Sequence, residues 1–437
     1  MNSHNGRLAV KAEIFDKQGN LKRTYDIPKP SADAKLRITH MDKDGNVKRV
    51  HEQPFRSFVS NFARVLNNSF FDIDNSTAGA TIDKIIEAVT GGATNVAAAT
   101  HLLEVDEGAL TASAQTAFGI WVGDKDNLSG LGLTQESGIQ ATEAFDNYML
   151  RTLVLADGGS PDTGLEYRAT VVTLSGNDIT ISRRFQNDSA VSIFIDEIGL
   201  VAKSGTDYFL IARDVVTVGN VSVVLDYQFE IPTTDVFVVE YVFSISDASE
   251  FTLNYLKMID SMLRGTTASS NPRDVNGNYY AANFASARTQ KDLLAAAAAI
   301  THGIVISGYT ESNYENQGDG GATNVNMYKL VNTVLLDSEL DYGAVTPITL
   351  TQETPGGGVI PYTQIGAYRD FENVIAERVH VYESALIIKE AAATHYYMIA
   401  RTPFGGGRGI IVDPGEILRV SVYLQYPLYN NGPIVEA

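Results

Sequence analysis

The sequence predicts a mainly β protein with a few helices. We expect two tandem, similar β-sandwich domains, each preceded by an amphipathic helix, with β-hairpins at the N-terminus. Three observations predict this fold class. Apolar and polar residues alternate over many short segments, as they do in half-buried antiparallel strands. Turn sequences rich in Gly and Asn separate those segments. Finally, the order of the segments recurs about 190 residues later in the chain.

The N-terminal region, residues 1–54, contains two similar turn sequences. Asp16-Lys17-Gln18-Gly19-Asn20 is followed by Leu-Lys-Arg, and Asp42-Lys43-Asp44-Gly45-Asn46 is followed by Val-Lys-Arg. Gly and Asn tolerate the positive φ angles of tight turns, so both segments predict β-hairpins. The Asp-x-Asp-Gly stretch also resembles the start of a calcium loop, but the remaining spaced ligands and the distal Glu of an EF-hand do not follow it.

Two segments predict helices with matching aromatic faces, at 57–66 and 250–259. Each places apolar residues at positions i, i+4 and i+7, which lie on one face of a helix. These residues are Phe58, Phe62 and Val65 in the first segment and Phe251, Tyr255 and Met258 in the second. We therefore expect one helix to open each domain.

Matching strand segments predict the domain bounds 55–245 and 246–437. The clearest match is a closing strand at 223–232, which alternates apolar and polar residues and ends at Pro232. The segment 418–427 shows the same alternation and ends at Pro427, at an offset of 195 residues. Matching element order and register predict an internal duplication.

Composition excludes several classes of function. The 437 residues carry a formal net charge of −19, which is unsuited to specific nucleic-acid binding or to anionic membranes. The chain has no cysteine, so disulfides and thiolate chemistry are excluded. The N-terminus lacks a secretory signal pattern, and no apolar run is long enough to cross a bilayer. We expect folding in a reducing cytoplasm.

Motifs that carry chemistry are few. The seven histidines show no zinc-binding spacing, and neither a nucleophile elbow nor a phosphate-binding lysine loop occurs. The glycine runs 356–358 and 405–407 are interpreted as flexible loops. The sole tryptophan, Trp121, is interpreted as a core residue. We therefore expect no catalytic, cofactor-binding or metal-binding residues, no cofactor and no enzymatic activity.

Two pairs of charged residues occupy equivalent positions. By alternation, Glu197 and Glu383 share a strand face with apolar neighbours, and Arg213 and Arg401 each end the following predicted strand. A half-buried carboxylate needs a partner, so we predict the structural pairs Glu197–Arg213 and Glu383–Arg401. The alternative is a catalytic carboxylate, but no second carboxylate or histidine recurs beside it.

Several of these segments together resemble a poorly characterised family of tailed-bacteriophage virion proteins. They are the run from Arg56-Ser57-Phe58, the stretch 119–123, the stretch from Arg184-Phe185 to Gly199-Leu200, and Leu210 to Asp214. The resemblance covers about 55–232. In the second half, Ser384-Ala385 and Thr402-Pro403 depart from it. It implies a virion structural protein of the tail, neck or baseplate, assembled in the host bacterial cytoplasm, with capsid decoration or a minor capsid protein as the alternative.

The duplication also leads to a hypothesis about assembly. Three chains with two similar domains each could form a homo-oligomeric ring with pseudo-six-fold symmetry, alongside other virion proteins. Two further functions stay open at this point. A receptor- or glycan-binding adhesin would use the 21 tyrosines and the loops rich in Asn and Gly. A glycan-cleaving enzyme would need two carboxylates facing each other across a cleft.

Overall fold

The structure is a computed structural model, and it is mainly β, with several antiparallel sheets. It describes these residues: 7–26, 33–54, 62, 65–66, 70, 85–86, 93–94, 103–106, 118–124, 132–134, 150, 152–154, 164–204, 207–216, 229–245, 251–285, 292–312, 326–327, 329–330, 338–353, 362–390, 395–404 and 409–427.

The strands are numbered in chain order. They are β1 Arg7–Phe15, β2 Leu21–Asp26, β3 Asp33–Met41, β4 Val47–Pro54, β5 Ile85–Ile86, β6 Ala93–Thr94, β7 Gly119–Gly123, β8 Gly132–Thr134, β9 Thr152–Val154, β10 Leu165–Tyr167, β11 Val171–Ser175, β12 Asp178–Asn187, β13 Ile193–Ile195, β14 Glu197–Ser204, β15 Asp207–Val215, β16 Phe229–Ile231, β17 Val236–Ser244, β18 Gly303–Thr310, β19 Leu340–Tyr342, β20 Thr346–Glu353, β21 Tyr362–Asn373, β22 Val379–Glu390, β23 His395–Pro403, β24 Ile410–Val412 and β25 Ile417–Pro427.

Two six-stranded sheets have the same strand order. One runs β10-β12-β17-β3-β4 with β11 also on β12, and the other runs β19-β21-β25-β1-β2 with β20 also on β21. We call the first sheet, with the strands of residues 119–244 that pack on it, the first half of the molecule. The second sheet, with the strands of residues 303–427, is the second half.

The predicted N-terminal hairpins are present, and each completes one six-stranded sheet. The hairpin β1–β2 pairs with β25 at the far end of the chain, whereas β3–β4 pairs with β17. The two hairpins are thus distributed crosswise, because the first joins the second half. Gly19 and Gly45 hold φ angles of 80° and 87° in the two turns, which explains the repeated Gly there.

A second layer lies against each six-stranded sheet. In the first half it has the order β15-β14-β7-β9-β8, with β13 paired to β16 nearby. In the second half it has the order β18-β22-β23, with β24 on β22. The long strand β22 covers the positions that β13 and β14 occupy separately. Bulges fall at corresponding places, between Leu200 and Val201 and between Leu386 and Ile387.

The predicted match between the closing strands is wrong. Phe371 of β21 corresponds to Phe185 of β12. Phe371 pairs with Leu418 of β25, whereas Phe185 pairs with Phe237 of β17. The counterpart of β25 is therefore β17, at an offset of 181 residues. Within 223–232, the described residues form the short strand β16, which pairs with β13. β16 does end directly before Pro232, whose carbonyl oxygen accepts a hydrogen bond from Asp235 N in the turn that leads to β17.

The second predicted helix runs over Leu253–Arg264, which we call the central helix. Phe251 was predicted on its face, but it precedes the helix and forms a bridge with Ala400, because the backbone there pairs with β23. Gly265 ends the helix in the left-handed region. In the first predicted helix, 57–66, Phe62, Val65 and Leu66 are helical and buried, as is Phe70 beyond its predicted end, while Ser57 and Phe58 lie outside the described residues.

The apolar core is continuous through both halves. One cluster of buried side chains contains residues of both six-stranded sheets, of both second layers and of the central helix. The central helix packs against β11 and β12 of the first half on one side and against β23 of the second half on the other. Among the described residues, no helix combines the length and apolar character needed to cross a bilayer.

Candidate functional site

The most developed polar arrangement in the molecule is a set of buried charged side chains that recurs in both halves. In the first half, Glu197 begins β14 and Arg213 lies near the end of β15, which runs beside it. Arg213 donates to Glu197 Oε2 from Nε at 3.0 Å and from Nη2 at 2.6 Å, and both side chains are fully buried. The structure thus brings the predicted pair together.

The second half holds the corresponding pair. Arg401 of β23 donates from Nε to Glu383 Oε2 at 2.5 Å, and both side chains are buried. The hydroxyl of Ser307 on β18 donates to the other carboxylate oxygen, Oε1, at 2.7 Å. The burial of a charge is offset only when its hydrogen-bonding capacity is met, and this geometry meets it. Glu383 is therefore held from the strands on both of its sides.

Sequence reasoning missed the second recurring arrangement, which is centred on Arg183 of β12 and Arg369 of β21. Arg183 donates to Arg168 O at 2.6 Å and to Ile120 O at 2.9 Å. The latter bond crosses from the six-stranded sheet to β7 in the second layer, so the guanidinium joins the two layers. Its Cζ lies 4.8 Å from the centre of the Tyr167 ring.

Arg369 repeats this arrangement closely. It donates to Gly343 O at 2.7 Å and to Ile304 O at 3.0 Å, and its Cζ lies 4.8 Å from the centre of the Tyr342 ring. It also donates to Ala299 O at 2.6 Å. Burial lowers the pKa of Arg369 to about 10, and the side chain still remains charged at neutral pH.

A signal for these arginines existed in the sequence. On β12, the inward positions are Ile179, Ile181, Arg183, Phe185 and Asn187, so an arginine stands between apolar residues on the buried face. Arg369 stands at the same place in the other half, two residues before Phe371, and this repetition indicates a shared role. Alternation alone identifies the inward face, but it does not show that carbonyl oxygens of the opposite layer converge on it.

A pair of asparagines forms the third recurring feature. Asn187 donates from Nδ2 to Val191 O and to Ile231 O, both at 2.9 Å. Asn373 donates to Glu377 O at 2.9 Å and to Val412 O at 2.8 Å. Each amide therefore ties the end of its long strand to a following turn and to the short strand, β16 or β24.

The fourth recurring feature attaches the N-terminal hairpins. In the first half, Asp235 Oδ2 lies 2.7 Å from Lys48 Nζ and 2.7 Å from His40 Nε2. Burial raises the pKa of Asp235, but the hydrogen bonds from Lys48 and His40 together outweigh it and hold that pKa below its usual range. In the second half, Glu416 binds Lys22 and Arg23 of β2.

Trp121 packs in a small apolar cluster with Leu150, Val201 and Leu210, as expected for a core residue. The predicted loops at 356–358 and 405–407 lie outside the described residues. No group of three or more potential metal ligands occurs within the described part of the chain.

One open depression on the second half carries carboxylates, which is what a glycan-cleaving enzyme would need. Its lining includes Glu311, Glu377 and Asp413. Glu311 Oε2 lies 2.5 Å from His380 Nε2, Glu377 accepts from Ser312 N at 3.1 Å, and Asp413 accepts from Arg378 at 2.8 Å. Each carboxylate thus takes part in a bond that fastens a strand end or turn.

The recurring buried side chains therefore define the candidate site, where they join neighbouring strands, strand ends to turns, and one layer to the other. Comparison of the chain with protein-family models, with curated proteins and with solved structures found no match.

Proposed function

We propose that the chain consists of two tandem copies of one helix-plus-β-sandwich unit and acts as a non-enzymatic structural component of a tailed-phage virion. Its place is the tail, neck or baseplate, where it works by packing against other virion proteins and against copies of itself. The observation that carries the structural role is the repetition of one buried polar framework in both halves.

Repetition of the framework favours a structural role for a physical reason. Arg183 and Arg369 have the same partners in kind and the same distance, 4.8 Å, to their tyrosine rings. The Glu–Arg pairs and the asparagine bonds recur in the same way. The recurring groups are bound by other groups of the same chain, and an assembly gains from similar surfaces repeated at regular intervals.

The virion assignment is supported by the resemblance of residues 55–232 to phage virion proteins, and it rests on those quoted segments alone. The acidic net charge of −19 is compatible with a surface that keeps away from packaged or passing DNA. Assembly would take place in the host bacterial cytoplasm, in agreement with a chain that lacks cysteine.

Quantitative mass spectrometry of purified phage particles that encode this chain tests the proposal. We expect the chain in a fixed, multiple copy number per particle, retained after a salt wash. A gold-labelled chain viewed by negative-stain electron microscopy should mark the tail, neck or baseplate. Label on the capsid shell would favour decoration, and absence from washed particles would refute a virion role.

A further inference from the structure

The hairpin β1–β2 completes a sheet in the half of the molecule that is farther from it along the chain. β1 pairs with β25 over its whole length, 7–15 opposite 417–425. Its inward residues Val10, Ala12 and Ile14 are buried in the common core. Without this hairpin, the second half would present β25 as an open edge with unpaired backbone groups and uncovered apolar side chains.

Charged residues fix the turn end of the hairpin to the turn before β25. Glu416 accepts from Lys22 and from Arg23, the latter at 2.5 Å. Gly415 leaves room for Lys17, because a Cβ atom there would overlap Lys17 Cε. Among the described residues, the strand pairings and ion pairs that β1–β2 makes outside itself all go to β25 and the turn before it.

The charges of the two partners are complementary. Residues 7–26 carry five basic and three acidic side chains, whereas residues 303–427 carry seven basic and fourteen acidic side chains. A basic hairpin is attracted to an acidic second half, and this attraction is the same whichever copy of the chain supplies the hairpin.

The path of the chain places this hairpin between two halves. β2 ends at Asp26 in the sheet of the second half, and β3 begins at Asp33 in the sheet of the first half. The seven steps between them span at most about 25 Å, so the first half that carries the hairpin lies directly beside the second half that receives it. This condition is met equally by two halves of one chain and by neighbouring halves of two chains.

We infer that copies of this chain are joined head to tail by exchange of β1–β2, so that the hairpin of one copy pairs with β25 of the next. In a row or ring of copies, each second half lies beside two first halves, its own and that of the neighbouring copy. The exchanged contact is the one that the structure shows within one chain, and only the chain that supplies the hairpin changes. The inference rests on the assembly role proposed above and names the segment that joins the copies.

The hairpin β3–β4 provides a matched comparison. It pairs with β17 as β1 pairs with β25, but β4 is followed within eight residues by Phe62, which is buried in the common core, as is Val65. Exchange of β3–β4 would carry these core residues with it. We therefore expect β3–β4 to stay in its own chain.

Single thiols on the two strands detect exchange, because the chain contains no cysteine. Lys11 lies opposite Ser421, and the separation of facing residues in antiparallel strands suits a disulfide. Chains with Lys11→Cys and chains with Ser421→Cys are unfolded together in urea, refolded at high concentration and oxidised with diamide. We expect a disulfide-linked dimer with one chain of each kind. Ser421 is only 3% exposed, so collisions between folded surfaces do not produce this bond.

The corresponding pair on the other hairpin is the control. Arg37 of β3 lies opposite Glu240 of β17, and these two residues occupy the places of Lys11 and Ser421 in the first half. Chains with Arg37→Cys mixed with chains with Glu240→Cys should give at least tenfold less mixed dimer. Equal yields from the two mixtures, or no mixed dimer from the Lys11→Cys and Ser421→Cys chains, would overturn the inference.

A reversible lock supplies the second test. Lys11→Cys and Ser421→Cys in one chain, refolded and oxidised at low concentration, fasten the hairpin to its own second half, and mass spectrometry of the digest verifies the bond. We expect this locked chain to stay monomeric in sedimentation velocity. Reduction, followed by incubation in mild urea, should restore association at least tenfold. The lock made from Arg37→Cys and Glu240→Cys should leave association unchanged.

A locked chain that associates as strongly as the unaltered chain would overturn the inference, as would an unaltered chain that is monomeric at every concentration. These outcomes are separate from the virion role. Mass spectrometry of particles can find the chain there whether or not its hairpin is exchanged.

Discussion

The two halves hold the same buried ion pair among different neighbours. Glu383 of the second half accepts a hydrogen bond from Ser307, which is next to it on β18. The corresponding neighbour of Glu197 is Gly123 on β7, where a Cβ atom would lie 2.4 Å from Glu197 Cγ. The carboxylate of the first half thus occupies the space that a side chain fills in the second.

This difference distinguishes the contacts that are present in both halves from the residues that differ between them. The Glu–Arg contact, the arginine between the layers and the strand-end asparagine are present in both halves. The residue beside the carboxylate differs, as does the second basic residue at each hairpin, which is His40 in the first half and Arg23 in the second. We therefore expect substitutions in the shared framework to cost more stability than substitutions at the differing positions.

The largest loss is expected on removing the arginine that joins the layers. Arg369→Met leaves several buried carbonyl oxygens without their donor, and each unmet buried group costs about 1–3 kcal/mol. We expect a loss of about 3–5 kcal/mol, and a similar loss for Arg183→Met. Thermal unfolding, with hydrogen exchange resolved by half, measures both.

Arg184→Met is the matched control, because Arg184 neighbours Arg183 on β12 but is exposed on the opposite face. Its effect should stay within about 0.5 kcal/mol. If Arg183→Met and Arg184→Met unfold at the same temperature, the buried arginine does not hold the layers together.

The next largest loss is expected for the ion pair. Glu197→Gln removes the carboxylate charge that Arg213 binds in this buried pair, and breaking such a pair costs about 3–5 kcal/mol. The amide retains an acceptor, so we expect a loss near the lower end of that range, measured by chemical unfolding. Replacing both residues, as Glu197→Gln with Arg213→Met, should restore part of the loss. An unchanged melting temperature for Glu197→Gln would count against a stabilising pair.

The sequence predicted much of the local structure, for reasons that particular residues make clear. The hairpin turns at Gly19 and Gly45 both hold positive φ, which turn composition identifies directly. Glu197 and Glu383 stood out because a charge on an apolar strand face needs a partner, and the following strand in a hairpin is the nearest place to find one.

The rest depended on long-range contacts that alternation does not encode. Both 223–232 and β17 alternate, so pattern alone could not decide which one pairs with Phe185; the three-dimensional pairing selects Phe237. The crosswise placement of the hairpins was equally hidden, since β1 pairs with β25 at the opposite end of the chain. The carbonyl partners of Arg183 are brought together only when the two layers pack.

A smaller, asymmetric effect is expected when the differing neighbours are exchanged. Gly123→Ser introduces a Cβ into space held by the fully buried Glu197, and overpacking of this kind costs about 1–3 kcal/mol. Ser307→Gly removes one hydrogen bond to Glu383 and costs about 1–2 kcal/mol. Urea unfolding compares the two variants. A stabilising Gly123→Ser would mean that the first half has room for a side chain beside its buried carboxylate, as the second half does.

The smallest loss of stability at neutral pH is expected for substitutions at the hairpin attachments, and this loss depends on pH. Because the pKa of Asp235 is held below its usual range, its stabilising contribution is complete above the unfolded pKa of about 3.9 and is lost as the pH falls through the lower folded value. Asp235→Asn should cost about 1 kcal/mol at pH 7.

Urea unfolding of Asp235→Asn and the unaltered chain at a series of pH values measures this dependence. The difference between the two proteins should shrink below pH 4, because acid removes from the unaltered chain the charge that the variant already lacks. Faster hydrogen exchange in the variant should appear in β3–β4 and not in β1–β2, which Glu416 holds instead. A difference that grows at low pH, or exchange that rises equally in both hairpins, would show that Asp235 does not attach its hairpin through its charge.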